Sequence, residues 1–221
     1  MNFFWYLQDT EYVVGQVFNR SLEAALGGVT CLPGALTMVR LKELSDVGEH
    51  YFGDLPTEKI FDYHRFYLGE DRYLTNLLLE DYPSYSVGFC ASARAKTEAP
   101  GNWTTFLKQR RRWLLGAFAN EVFFMCSWKL WRRVPFLVLY KLCDFSSRSA
   151  AFFLYIVAFQ LIVGVKYQLT QTIVIWVPLL LNWLLIFIFA LVLKRFKIFY
   201  MFPLMMLINP WMCTFFICVF Y

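Results

Sequence analysis

The last third of this sequence is almost free of charge, and no other feature constrains its fold as strongly. Charged residues become rare after Arg148, and residues 172–193 and 199–221 contain none. An apolar helix of about 20 residues is long enough to cross a bilayer. Together with a shorter uncharged run at residues 149–165, these stretches predict about three transmembrane helices within residues 149–221.

The overall composition agrees with a membrane protein. Of the 221 residues, 59% are hydrophobic and the mean hydropathy is +0.47, which is too apolar for an ordinary soluble domain. Basic residues flank the uncharged runs, at Arg132, Arg133, Lys141 and Arg148 and again at Lys194, Arg195 and Lys197. Because both groups fall on one side if the spans alternate, the positive-inside rule predicts a multi-pass protein whose N-terminal part faces the cytosol.

The charge distribution and the cysteines exclude several kinds of site and partner. The net charge is +5, but much of the basic excess lies near the predicted membrane ends, which favours lipid headgroups and phosphate-bearing ligands over nucleic acid. The six cysteines form no Cys-x-x-Cys pair and have no histidine at zinc spacing. The sequence therefore predicts neither a metal cluster nor a disulfide framework.

An amphipathic helix is predicted over residues 8–26. Its apolar residues recur at spacings of three and four, with Glu11, Arg20 and Glu23 on the polar side. Gly27-Gly28 is expected to end this helix.

Strand patterns follow the predicted helix. Two β-prone runs, at residues 29–32 and 35–40, flank the turn pair Pro33-Gly34, and residues 85–93 predict another strand. Because helices and strands alternate, we expect residues 1–101 to form part of a cytosolic α/β domain.

Two adjacent carboxylates, Glu70 and Asp71, open a helical pattern that continues through Glu80. Carboxylates in a first helical turn are favoured by the helix dipole, so a purely structural role explains them. The functional alternative is a general base, since an ionised carboxylate at a helix start can project into a cleft. The sequence alone leaves both interpretations open.

A basic and aromatic run at residues 106–113 lies in a helix that Asn102 is expected to cap. Within this helix Gln109, Arg112 and Trp113 share one face, since they fall at i, i+3 and i+4. An indole beside a guanidinium suits a ligand that is part sugar ring and part phosphate. The alternative is a basic collar on a membrane surface, formed by interface helices over residues 102–148.

Three motifs in this order resemble one family. The run Gln109-Arg110-Arg111-Arg112-Trp113, preceded by Glu70-Asp71-Arg72 and by Cys31-Leu32-Pro33-Gly34 and followed by the predicted spans, resembles fungal chitin synthases, which are processive family-2 glycosyltransferases. The resemblance implies the C-terminal part of a GT-A-like catalytic domain. It also implies transfer of N-acetylglucosamine from UDP-N-acetylglucosamine to the 4-hydroxyl of a β-1,4-linked chitin chain, with inversion and export across the plasma membrane.

The resemblance also implies roles for individual residues. Asp71 is expected to be the general base that deprotonates the acceptor hydroxyl. Trp113 is expected to stack on the acceptor sugar, and Gln109 and Arg112 to contact the donor pyrophosphate or hold the acceptor.

Further residues are expected to support this site. The resemblance implies that Glu70 and Arg72 brace the base and that the turn containing Cys31, Pro33 and Gly34 forms the floor of the donor-sugar pocket. The partners that the resemblance implies are the two substrates and the lipid bilayer. It also allows the chain to form a homo-oligomer.

One expected element of the family is missing from the sequence. Such enzymes hold a divalent metal, magnesium or manganese, through an Asp-x-Asp motif, and no Asp-x-Asp occurs among the 221 residues. We therefore expect a fragment that lacks the donor and metal half of the site. The alternatives are a catalytically inactive membrane subunit or pseudo-enzyme, a small transporter, or a related cellulose or hyaluronan synthase.

Overall fold

The computed structural model describes residues 3–55, 58–145, 161, 169–194 and 196–203, and the regular secondary structure in that part of the chain is helical. The α-helices in chain order are α1 Phe3–Tyr12, α2 Arg20–Ala25, α3 Leu41–Phe52, α4 Ile60–Tyr63, α5 Glu70–Asp81, α6 Trp103–Cys126, α7 Trp128–Arg133, α8 135–145, α9 Leu169–Val192 and α10 197–203. Two π-helical segments, Val13–Asn19 and His64–Leu68, lead into α2 and towards α5.

The prediction of an α/β domain is wrong, because no strand occurs among the described residues. The β-prone segments at residues 29–32 and 85–93 do approach each other, and Val29 N–H donates to the Val87 carbonyl at 3.2 Å. A ladder does not develop from this contact. The N–H of Thr30 donates to the Glu23 side chain and the N–H of Leu32 donates to the Thr75 hydroxyl, both at 2.9 Å. Helix side chains thus take the donors that a neighbouring strand would need.

The first predicted helix is interrupted. A π-helical segment, Val13–Asn19, separates α1 from α2, and Gly27 follows α2 with a φ of 125°, a conformation that suits glycine. Arg20 and Glu23, on the predicted polar side of this helix, are buried, with 9% and 3% exposure.

Local signals located the later helices well. Asn102 caps α6 as predicted, because its side-chain oxygen accepts a hydrogen bond of 2.8 Å from the N–H of Thr105. Pro135 separates α7 from α8 and stands at the first position of α8, where a missing N–H costs nothing.

The chain divides into two compact units, of which one is Gly15–Lys141. Its hydrophobic core combines residues from four helices, each at most 1% exposed: Val47 of α3, Leu79 of α5, Leu130 of α7 and Leu137 of α8. Burying one such side chain contributes roughly 1.5–3 kcal/mol. This core fixes α5, which carries Glu70 and Asp71.

The other unit contains Met1–Val14 and Leu142–Tyr221. Among its described residues, the ring of Phe199 lies 5.0 Å from that of Trp183 and 4.9 Å from that of Phe187. The ammonium of Lys197 lies 4.8 Å above the ring of Tyr6, so a cation–π contact joins α10 to α1.

The prediction of transmembrane helices is also corrected. Helix α9 covers all but the last residue of the second predicted span, residues 172–193, but no helix in the described part of the chain has both the length and the apolar character needed to cross a membrane. Nearly all of the first predicted span, residues 149–165, and most of the third, residues 199–221, lie outside the described residues.

Candidate functional site

Asp71 lies in the first turn of α5 and is half-buried. Its Oδ1 accepts a hydrogen bond of 2.8 Å from the backbone N–H of Arg72, and its Oδ2 accepts one of 3.1 Å from the Cys31 thiol. Two donors therefore hold the carboxylate in one orientation. Cys31 and Asp71, which stand in two different motifs of the sequence, are in direct contact.

Cys31 remains a thiol at neutral pH. Burial raises its pKa to about 11, and the neighbouring Asp71 carboxylate adds to the increase, although Arg72 opposes it. A protonated sulfur can donate to Asp71, whereas a thiolate would repel it. The thiol is thus a hydrogen-bond donor to the carboxylate and a poor nucleophile.

The segment that carries Cys31 is tied to α5 by Thr75. The Thr75 hydroxyl accepts from the N–H of Leu32 at 2.9 Å and donates to the carbonyl of Asp71 at 2.6 Å. One side chain in the second turn of α5 therefore aligns Cys31 with Asp71.

Half-buried Pro33 and exposed Gly34 lead into a turn beyond Cys31. The carbonyl of Pro33 accepts from the N–H of Leu36 at 3.3 Å and from the Thr37 hydroxyl at 2.6 Å. A Cβ added at Gly34 would meet nothing within 4 Å, so the backbone of this turn is open to an approaching ligand.

Arg72 points to the interior, unlike its exposed neighbour Glu70. Burial acts to lower the pKa of Arg72, but the Cys31 sulfur and the carboxylates of Glu121, Asp71 and Glu23 act more strongly, so the pKa is raised. Arg72 thus carries a permanent positive charge behind Asp71.

A second buried cation balances these carboxylates. The Lys141 ammonium lies 2.5 Å from Glu23 Oε1, and both residues are buried. The other oxygen of Glu23 accepts from the N–H and the hydroxyl of Thr30, each at 2.9 Å. Such a pair is tolerated inside a protein because its charges are matched and its oxygens are hydrogen-bonded.

The predicted sugar-and-phosphate face lies on α6. Gln109 and Trp113 are half-buried, whereas Arg112 is exposed. The side-chain oxygen of Gln109 is buried and accepts no hydrogen bond within the described part of the chain. This acceptor is therefore enclosed and unsatisfied in the described structure.

The buried cation of this run is Arg110. Its guanidinium carbon lies 4.7 Å from the centre of the Phe106 ring and 4.6 Å from that of the Trp113 ring. Stacking of this kind fixes the indole plane and covers one of its faces. A sugar could not stack on the face that Arg110 covers.

The helices α5 and α6 meet at two glycines. A Cβ added at Gly69 would come within 2.7 Å of the Gly116 carbonyl oxygen, and a Cβ added at Gly116 would come within 2.5 Å of the Leu68 carbonyl. The two backbones are therefore in direct contact. Asp71 lies two residues after Gly69, and Trp113 lies one helical turn before Gly116.

One described groove contains none of the predicted residues. It has a volume of about 310 Å³ and is lined by Arg65, Asn76, Glu80, Phe123, Phe124, Cys126, Ser127 and Leu130. The contact between the Cys31 and Asp71 motifs lies outside this groove.

The residues around Asp71 do not fit a divalent cation. Magnesium and manganese require several clustered oxygen ligands, and no group of three or more histidine, cysteine or acidic residues in the described part of the chain could hold a metal ion. Asp71 itself is hydrogen-bonded to Cys31 and to its own helical turn.

Comparison with known proteins gives the family. A model of the family described as "Chitin synthase" matches residues 2–220. The chain belongs to the chitin synthase family. This membership agrees with the resemblance that the three sequence motifs indicate.

Several members of the chitin synthase family are similar over nearly the whole chain. Identity is 41% over 208 residues to "Chitin synthase VI" of Metarhizium acridum, with 92% of this chain and 32% of that protein covered. It is 42% over 209 residues to "Chitin synthase D" of Aspergillus fumigatus, with 92% and 28% covered. It is 40% over 208 residues to "Chitin synthase 7" of Pyricularia oryzae, with 92% and 25% covered. The chain thus spans about a quarter to a third of the length of these curated chitin synthases.

The sequence did not predict several buried polar residues of this chitin synthase family member. Glu23, Lys141, Asn120 and Glu121 are each at most 9% exposed and lie on three different helices. A helix pattern cannot reveal such residues, because an isolated polar residue in an amphipathic helix is far more often exposed. Some of their partners lie far away in the sequence, such as Lys141 for Glu23 and Gly69 for Asn120.

Proposed function

We propose that this chain contributes the acceptor side of a chitin synthase site. It would add N-acetylglucosamine from UDP-N-acetylglucosamine to the 4-hydroxyl of a growing β-1,4-linked chain. The observation that carries the proposal is the Cys31 to Asp71 hydrogen bond, because it joins two of the three motifs around one oriented carboxylate. The plasma-membrane location with a cytosolic catalytic part, contact with the lipid bilayer and export of the polymer, which the resemblance implies, belong to the same proposal.

In the proposed reaction Asp71 is the general base. Its carboxylate accepts the proton of the acceptor 4-hydroxyl while that oxygen attacks the anomeric carbon of the donor sugar. A new carbon–oxygen bond forms on one face, and the bond to the diphosphate breaks on the other. UDP leaves with the electron pair, and the configuration inverts. A carboxylate that is already oriented loses little entropy in reaching this geometry.

The face of α6 would bind the acceptor. The indole of Trp113 would stack on a sugar ring, and the contact with Arg110 would hold the plane of that indole. Gln109 would contact the donor pyrophosphate or hold the acceptor, as the resemblance implies. Arg112 is exposed on the same helix, and its positive charge would offset the charge that develops on the leaving diphosphate.

The remaining predicted residues would support this site. Arg72 supplies a fixed positive charge behind Asp71, and the exposed turn at Pro33 and Gly34 is open enough to approach the donor sugar. Glu70, at the exposed start of α5, would flank the base. Binding of the divalent metal that the resemblance implies, magnesium or manganese, is a separate proposal. No step given above depends on this metal.

Incorporation of labelled N-acetylglucosamine tests the function. Membranes that contain this chain, alone or fused to a segment that supplies an Asp-x-Asp strand, should convert UDP-N-acetylglucosamine into an insoluble product that chitinase degrades. UDP-glucose and UDP-glucuronate should give no polymer, and membranes without the chain provide the background. Polymer from UDP-glucose or UDP-glucuronate would indicate a cellulose or hyaluronan synthase. No polymer from either form would indicate an inactive subunit and contradict the proposal.

A further inference from the structure

Asn120 of α6 is an almost completely enclosed polar residue, with 1% of its surface exposed. Its Nδ2 lies within hydrogen-bond distance of three backbone carbonyls, those of Arg65 at 3.0 Å, Gly69 at 3.1 Å and Gly116 at 3.0 Å. An amide group has two N–H donors, so at least one of them is shared between carbonyls. A polar side chain that is so deeply buried is retained only where its donors are satisfied.

The contact between Asn120 and the carbonyl of Gly69 affects the start of α5. The same oxygen accepts the first backbone hydrogen bonds of α5, from the N–H of Arg72 at 3.1 Å and from the N–H of Tyr73 at 2.9 Å. Asn120 therefore holds the point at which α5 begins. Asp71 lies inside that first turn, so its position depends on this point.

Asn120 also belongs to the face of α6 that carries the sugar-binding residues. Gln109, Trp113, Gly116 and Asn120 follow one another at spacings of four, three and four residues, which places them in one stripe along a helix of 3.6 residues per turn. Gly116 lies against the backbone of Leu68 and Gly69. The C-terminal end of this stripe, at Gly116 and Asn120, therefore lies against the start of α5.

Asn76 of α5 completes the connection from the other side. Its Nδ2 lies 3.5 Å from both the carbonyl and the side-chain oxygen of Asn120. The donor group of Asn120 thus contacts the start of α5, and its acceptor faces the middle of the same helix.

We infer that Asn120 is a positioning residue that fixes the register between Asp71 on α5 and the Gln109–Trp113 stripe on α6. This inference rests on the proposed function for its effect on the reaction. Its structural part, the retention of the first turn of α5, is independent of any activity.

Two variants separate the contacts of Asn120. Asn120→Asp keeps the size of the side chain but replaces its donors by an acceptor that faces carbonyl oxygens. Asn120→Ser is smaller, and its hydroxyl can still bond the Gly116 carbonyl one turn earlier but cannot reach Arg65 or Gly69. Leu137→Ala is the matched control, because Leu137 is a core residue of α8 with 0% exposure and lowers stability without contacting the start of α5.

The structural measurement is hydrogen–deuterium exchange on the full chain in detergent or nanodiscs. Each variant is measured at the same number of degrees below its own melting temperature. In Asn120→Ser, the amides of Arg72 and Tyr73 should then exchange faster than in Leu137→Ala, with the change concentrated at residues 70–75. Equal exchange in this segment in both variants would overturn the inference. This result does not require an active enzyme.

The kinetic measurement is polymer synthesis by the same variants. A displacement of about 1 Å between catalytic groups can reduce a rate about 100-fold, so kcat should fall by about that factor in both Asn120 variants while the KM for UDP-N-acetylglucosamine changes little. Leu137→Ala should keep its kcat. If the unaltered protein makes polymer and the Asn120 variants match the control, the positioning role is excluded. If the unaltered protein makes none, the proposed function fails, and exchange still decides whether Asn120 holds α5.

Discussion

The thiol of Cys31 donates a hydrogen bond of 3.1 Å to Oδ2 of Asp71, although 40 residues separate them in the sequence. The Leu32 N–H bond to Thr75 keeps this pair aligned. A sulfur that is held in this way acts on the carboxylate as an oriented donor. Its chemistry can be tested by substitution and by its own reactivity.

Replacing Cys31 should separate the effect of the donor from the effect of side-chain volume. Cys31→Ser keeps an O–H donor at the same place, whereas Cys31→Ala removes it. A hydrogen bond to a charged group contributes about 1.5–3 kcal/mol, so the alanine variant should lose roughly tenfold or more in kcat and the serine variant much less. Steady-state polymer synthesis measures both. An equal loss in the two variants would show that the thiol donor does not matter.

The cysteines should differ in reactivity towards a maleimide between pH 6 and 8. Burial raises the pKa of Cys31 to about 11, so its reactive thiolate is scarce throughout this range. A hydrogen bond from Ser92 lowers the pKa of Cys90, which is exposed, so its thiolate appears at lower pH than in a free cysteine. Peptide mass mapping should therefore find Cys90 labelled well before Cys31. Labelling of both at the same rate in the folded protein would contradict the burial of Cys31.

Breaking the buried ion pair should destabilise the Gly15–Lys141 unit. Glu23→Ala leaves the Lys141 ammonium buried without its carboxylate and removes two bonds from Thr30. Loss of one partner of such a pair costs about 3–5 kcal/mol in the free energy of unfolding. Thermal unfolding in detergent measures this cost, with the exposed Glu49→Ala on α3 as the control. The double variant Glu23→Leu with Lys141→Met should recover much of the loss, and a Glu23→Ala variant as stable as Glu49→Ala would refute the pairing.

Alanine at Gly116 should force α5 and α6 apart. Its Cβ would lie 2.5 Å from the Leu68 carbonyl oxygen, and a backbone atom cannot turn aside as a side chain can. Overpacking of this kind costs about 1–3 kcal/mol, and the separation should also lower kcat. Gly88→Ala serves as the control, because its Cβ would meet nothing within 4 Å. Unfolding curves and polymer synthesis should distinguish the two glycines, and identical behaviour would exclude the close contact.

The sequence predicts what depends on local signals. Helix α6 was predictable because Asn102 and the spacing of its apolar residues act within a few residues. The predictions of strands at residues 29–32 and 85–93 were wrong. β-Propensity is a local signal, whereas the hydrogen-bond partners of Thr30 and Leu32 are side chains on α2 and α5.

The candidate site shows the same division. The three motifs identify Asp71, Gln109, Arg112 and Trp113 as candidates, and their contact with substrate stays a prediction. The residues behind them were not predictable, since Asn120 has the pattern of any polar residue in a helix. Only the packing of α6 against residues 65–69 gives it the carbonyls of Arg65 and Gly69 as partners.

The most direct test of the central claim compares Asp71→Asn with Asp81→Asn. Both variants lose one carboxylate of α5, but Asp81 is exposed at the far end of the helix and away from Cys31. Removing a general base reduces a rate about 10²–10⁴-fold. We expect Asp71→Asn to lose polymer synthesis by at least the lower factor while UDP-N-acetylglucosamine still binds, and Asp81→Asn to retain both. Polymer synthesis by Asp71→Asn at the rate of Asp81→Asn would contradict the assignment of Asp71 as the base.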